Sequence, residues 1–172
     1  MNDKMTQAEQ DAVVEFPAVA EDFCRCIDNC SSYERKRLVQ DVSVLLARLC
    51  EVGARLPWVS PSTEGTDFTN ESVAIHASEQ FRLSTRLREQ LGNLDEYWGD
   101  VFDPTQKEEV ILCSLSQHIA EIYMDLQDAL KLQASGASLE DIYFEWHLAF
   151  RSHWARHATS ALRVAILISD RA

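Results

Sequence analysis

Glycine and proline are scarce in this chain, five and four among 172 residues. They fall between segments with helical periodicity, so they punctuate a helical protein and do not supply the frequent turns of a β-rich fold. No strand-length alternation bounded by turn signals is visible, and no internal repeat. No apolar run approaches the roughly 18 residues that span a bilayer, and Met1–Gln10 lacks the basic-then-apolar pattern of a secretion signal. Five cysteines, an odd number without such a signal, argue against a disulfide framework and predict reduced, packed thiols in a cytoplasmic protein. Cys24, Cys26 and Cys30 look clustered. On a helix, however, Cys24 and Cys26 point about 200° apart, so the three cannot close on one zinc ion.

Positive charge is also short. Lys plus Arg number 16 against 28 Asp plus Glu, for a formal net charge of −12. A surface of that sign repels phosphate backbones and anionic headgroups, which weighs against nucleic-acid and membrane partners. The densest basic stretch, Glu34-Arg35-Lys36-Arg37, is diluted by its own acid and reads as a solvated helix start. Glycine-rich phosphate loops, Gly-x-Ser-x-Gly elbows and dinucleotide fingerprints are absent. Cys113 precedes a helix start, where a thiol can be activated, but no base stands beside it in sequence.

What is present is helix. The 172 residues suit one all-α domain, a bundle of about five helices, with residues 1–8 disordered and 58–78 a long loop. The first helix is predicted from about Ala8 to Asn29, with Phe16, Val19, Phe23 and Ile27 as its stripe and Pro17 a kink or break. The second follows Ser31 or Ser32 and carries Leu38, Val42, Leu45, Leu49, Val52 and Leu56 up to Pro57. A third covers Glu79–Leu91, with Gly92 as its stop. Leu94–Lys107 is aromatic and acidic, and its Tyr97, Trp98 and Phe102 are expected to pack onto the bundle. The fourth helix starts near Ser114 or Ser116. The fifth, capped by Ser138, runs to about Ser169.

This last helix holds the most informative pattern. At 100° per residue, Trp146, Phe150, His153, His157 and Val164 fall within about 40° of one line. Two imidazoles on an apolar face need polar partners, since each left unpaired costs about 1–3 kcal/mol. On the fourth helix His118, Glu121 and Asp125 form a polar stripe that can supply them. Three readings are open: a histidine–carboxylate network that fixes helix register, a metal or small-ligand site using Asp125, His153 and His157, or acid–base catalysis. His153-Trp-Ala-Arg-His157 lacks the glutamate of a zinc protease. His118-x-x-Glu121 reverses the Glu-x-x-His order of diiron bundles and has no second copy. Glu121, Asp125 and Asp128 could hold magnesium only with acids from another helix, and Glu140, Asp141 and Glu145 lie near that helix's start, so a solvated acidic face is the simpler reading.

Several strings stand out: Ala20-Glu-Asp-Phe-Cys24 with Ile27-Asp28-Asn29, Leu45-Leu-Ala-Arg-Leu49 leading to Leu56-Pro57, and Tyr97-Trp98 with Phe102-Asp103-Pro104. The most specific are Ser114–Leu126, with its Ile-Tyr-x-Asp-Leu, and Trp146 with Phe150-Arg-Ser-His-Trp154, His157 and Ala161-Leu162. Together they resemble a bacterial family of helical proteins, the domain of unknown function 5063. The resemblance implies an all-α fold without a known activity. It singles out Glu121, Tyr123, Asp125, His153, Trp154 and His157, and it departs at Gln117-His118, where two acids are implied, which counts against His118 in a shared function.

Two functions fit these features. The first is a non-enzymatic interaction module whose acidic surface or aromatic connector binds another protein or a second copy, without nucleic acid, membrane or cofactor. The alternative is a metal- or small-ligand-binding bundle, extending to a hydrolase, built on the histidine–carboxylate cluster.

Overall fold

Thr6 opens the first helix. Its Oγ1 accepts from the Glu9 N–H at 3.3 Å while Glu9 Oε2 accepts from the Thr6 N–H at 2.7 Å, a reciprocal cap that satisfies two of the orphan donors at a helix start. The computed structural model describes residues 5–61, 70–99 and 110–172, with side chains of the third helix from residue 76. The cap at Thr6 and the helix from Gln7 lie inside the stretch 1–8 expected to be disordered. Helix α1 (Gln7–Asp28) passes Pro17 without a break. A single-turn 3-10 segment, Cys30–Ser32, leads to α2 (Arg35–Ala54).

Helix α3 spans Asn70–Leu91, so the second half of the expected loop 58–78 is helical. Its alanines and glutamates favour helix; the Ser, Thr and Gly content of the preceding residues masked that preference. Beyond Gly92, whose φ of 58° suits a glycine, the chain forms two short antiparallel strands, β1 (Glu96–Gly99) and β2 (Ile111–Ser114), with Trp98 opposite Leu112. Four-residue strands are too short to show period-2 alternation, so periodicity carries no sign of them. Tyr97 packs on the core, but Trp98 is 70% exposed, against the expectation that it would pack. Phe102 lies outside the described residues.

Ser114 caps α4 (Leu115–Ala134), accepting from the Gln117 N–H at 3.3 Å. Ser138 caps α5 (Leu139–Ala149). One wide turn, Phe150–Trp154, joins α5 to α6 (Ala155–Ile168) in a continuous rod, and there the Ala155 N–H donates to Phe150 C=O five residues back. Ile142, Trp146, Phe150, Trp154 and Ala158 are all buried. In a regular α-helix each four-residue step drifts by about 40°. The π-type turn takes up that drift and keeps the whole series on the core side. The chain is thus one mainly α-helical domain, and among the described residues no helix is long and apolar enough to cross a membrane.

The core centres on Phe16, Phe23, Leu46, Leu49, Trp146 and Trp154, each at most 2% exposed. Phe16 lies 4.7 Å from the Trp146 ring and 6.3 Å from the Trp154 ring. Cys24, Cys26 and Cys30 are buried and unbridged, and burial pushes the Cys24 thiol up to about 12. Helix α2 meets the rod closely at Gly53. A methyl added there would lie 2.6 Å from Phe150 Cδ2 and 2.8 Å from Trp154 Cη2. Alanine gains about 1 kcal/mol of helix propensity over glycine, but two rigid rings cannot yield, and overpacking costs about 1–3 kcal/mol. Gly53→Ala therefore lowers stability, with a Tm fall of roughly 2–6 °C in a thermal melt. A Tm equal to or above that of the parent would show that the aromatic cage relaxes.

Candidate functional site

The polar stripe of α4 faces the wide turn and the start of α6. His157, only 4% exposed, has its Nδ1 2.7 Å from the Nδ1 of His118 and its Nε2 2.8 Å from Glu121 Oε2. One turn back along the rod, His153 Nδ1 and Asp125 Oδ2 pair at 2.5 Å. The His153 and His157 rings lie 4.9 Å apart, and those of His118 and His157 5.0 Å apart. Three imidazoles and two carboxylates thus converge from two helices.

Local sequence explains each position. His118 and Glu121 stand three apart on α4 and Asp125 four further on, which places them on one helical face. His157 follows the wide turn and is carried into the core. His153 falls inside that turn, and its side chain is 40% exposed. The expectation of two histidines in the middle of the apolar face is therefore corrected: the phase shift leaves His157 there and moves His153 to the rim.

The carboxylate of Glu121 is held from behind. Gln117 Nε2 donates to its Oε1 at 3.1 Å and Gln80 Nε2 approaches the same atom at 3.5 Å. That leaves Oε2 to face His157, an outer hydrogen bond that fixes a carboxylate's direction. Burial works to raise Glu121, yet hydrogen bonding to His157, that ring's charge, and Gln117 and His118 outweigh it and hold the carboxyl at about 2. Burial, aided by the charge of His157, pushes His118 down to about 4, against the pull of Glu121 and Asp95. Burial raises Asp125, opposed by its bond to His153.

Asp95 was not picked out from the sequence. It is 1% exposed and accepts from the Ser116 N–H at 2.6 Å, Ser116 Oγ at 3.0 Å, Ser114 Oγ at 2.9 Å and Arg88 Nε at 3.1 Å. A carboxylate at a helix N-terminus is favoured by the helix dipole, and here it pins the strand pair to α4 just before His118. The Tyr97 ring, 6.0 Å from that of His118, packs beside it.

Nearly the whole chain, residues 7–168, matches the family model described as Domain of unknown function (DUF5063). The chain belongs to the DUF5063 family. The crystal structure of protein BF1032 from Bacteroides fragilis is similar to this DUF5063 protein in fold, with a TM-score of 0.70 at 22% sequence identity over 93% of this chain and 94% of that one. Comparison with the curated proteins gives no match.

Of the residues singled out in this DUF5063 chain, the structure brings Glu121, Asp125, His153 and His157 together and adds His118, which the sequence had discounted. It places two elsewhere. Tyr123 points to the other side of α4, where its hydroxyl donates to Asp28 Oδ1 at 2.8 Å. Trp154 is a core residue, its ring 4.7 Å from that of Phe150.

The shifts at His118 and Glu121 have one sign. Both folded-state values lie below the ordinary ones, 6.5 and 4.5. The unfolded chain therefore binds more protons as pH falls, and the stability present above the ordinary values is lost on the way down. Asp125, raised, opposes this in part. In chelator-containing buffer the Tm should fall as pH is lowered from 6.5 towards 4, and His118→Gln should flatten that window. An unchanged slope in the variant would remove His118 as the source.

Proposed function

We propose that this chain is a metal-binding helical protein whose centre is His118, Glu121 and His157. The observation that carries the reading is the convergence of one donor atom from each, all within 4.8 Å of one another. Two ring nitrogens 2.7 Å apart form an arrangement in which one ring must carry the intervening proton; a shared cation replaces that proton. His118, pushed down to about 4, offers a lone pair at neutral pH, and Glu121, held at about 2, is ionised. A tetrahedral ion with ligands at about 2.0–2.1 Å holds its donors about 3.4 Å apart. Ion binding therefore requires the donors to draw together and the His157 ring, which meets His118 through Nδ1 and Glu121 through Nε2, to turn one nitrogen toward both.

Two histidines and one carboxylate suit zinc and divalent iron, and three protein ligands leave coordination positions for water or substrate. Gln117 and Gln80 orient Glu121, and the Asp125–His153 pair stands at the rim, where it can take or give a proton. Five unbridged cysteines support a reducing, cytoplasmic setting, and the Bacteroides relative supports a bacterial protein.

The test is metal analysis of protein purified without chelator or polyhistidine tag, followed by zinc and cobalt titration of the stripped protein. Near-stoichiometric binding is expected, lost in His118→Ala and His157→Ala, and weakened about 10–100-fold in Gln117→Ala, which touches the carboxylate alone. No binding by correctly folded parent protein would make the cluster a structural hydrogen-bond network.

A specific observation also favours the interaction module. Trp98 and Leu112, paired across the strands, are 70% and 54% exposed and lie near exposed Val110 and Ile111, an apolar patch of the kind that anchors a partner or a second copy. Sedimentation at rising concentration should then show self-association that Trp98→Ser abolishes. A monomer at all concentrations would confine this reading to other proteins.

A further inference from the structure

On the face of α4 turned away from the histidines, a cleft of about 440 Å³ opens between the end of α1, the middle of α3 and α4. Its size falls in the range of small-molecule sites. Leu83 and Met124, both buried, form an apolar floor. Around them stand three cationic groups, Arg82 and Arg86 from α3 and Lys131 from α4, with Asp28 and Glu79 as the acids. Three cations against two acids make this lining less negative than a chain of net charge −12 taken as a whole, so an anion is better tolerated here than over most of the surface.

The partners of these groups sharpen the point. Asp28 is occupied by the Tyr123 hydroxyl. Burial, reinforced by Asp28, raises the Tyr123 phenol, so it is a donor at neutral pH. Lys131 is within 3.2 Å of Asp128 outside the cleft lining. Arg86 donates from Nη2 to Ile27 C=O at 3.3 Å, while its Nε is buried with no hydrogen-bond partner among the described residues. A buried unpaired donor costs about 1–3 kcal/mol, more when charged. Arg82 and Arg86, four residues apart, present two guanidinium forks on one face of α3, the geometry that suits planar carboxylates.

We infer that this cleft binds a small organic carboxylate with an apolar body, its carboxylate on Arg82 and Arg86 and its body on Leu83 and Met124. The site is independent of the metal centre, and it gives Tyr123 a place: the phenol edges the cleft and can turn from Asp28 to the ligand.

The test uses 4-phenylbutyrate as the probe and 4-phenylbutyramide, which lacks the charge, as its control, read by amide and arginine side-chain NMR shifts and by calorimetry. Saturable shifts are expected at Arg82, Arg86 and Met124 with the acid, and binding at least about tenfold weaker with the amide, since charge-assisted bonds contribute about 1.5–3 kcal/mol. Arg86→Gln and the more exposed Arg82→Gln should each weaken the acid about tenfold, with circular dichroism confirming the fold. Affinity should be the same with and without chelator, which separates this site from the metal centre. The absence of saturable shifts, equal binding of acid and amide, or wild-type affinity in both arginine variants would each overturn the inference.

Discussion

A buried imidazole must be answered by polar groups, and the burial of His157 sets much of the arrangement around it. The ring is only 4% exposed, on a helix whose Ala158, Ala161 and Val164 are also buried. Its two nitrogens meet Glu121 and His118, and these in turn require Gln117, Gln80 and the placement of α4 by Asp95. A chain of dependence thus runs from one side chain through α4 to the strand pair. In a low-dielectric setting such a network is costly if any member is missing and specific if all are present, so it ties the register of α4 to that of α6.

The same helix α4 has two polar sides separated by apolar Ile119, Ile122 and Leu126, which are buried. One side carries His118, Glu121 and Asp125. The other carries Tyr123 and Lys131, which border the cleft against α3. A helix packed against neighbours on several sides can present different chemistry along separate rows because 3.6 residues per turn keeps those rows from mixing. The cleft side meets the arginines of α3 and the other side meets His153 and His157, so the two sides differ in the groups they face.

Much of this was legible in the sequence. The stripes of α1 and α2 and the caps at Ser114 and Ser138 follow from apolar spacing and small polar residues. The facing of the α4 acids and the rod's histidines follows from the need to pair imidazoles on an apolar face. The rest was hidden for identifiable reasons. Four-residue strands carry too little alternation to register. The start of α3 was obscured by the Ser/Thr-rich stretch before it. His118 was set aside on a comparison of patterns, although its position on the stripe already pointed inward. Tyr123 and Trp154 entered through the rarity of their strings, and they prove to belong to a cleft edge and to the core. The wide turn has no marker in its residues Phe150-Arg-Ser-His-Trp154, since any helix-forming stretch can host one when packing on both sides demands it.

That turn also makes the phase of the whole rod depend on a single residue. Upstream, Trp146 and Phe150 face the core; downstream, Trp154 and His157 are buried as well because the five-residue turn has taken up the drift between them. Shortening Phe150–Trp154 by one residue would turn everything beyond it by about 100° relative to Trp146 and carry His157 away from α4. The bulge is therefore an alignment setting for the rod and not slack in it.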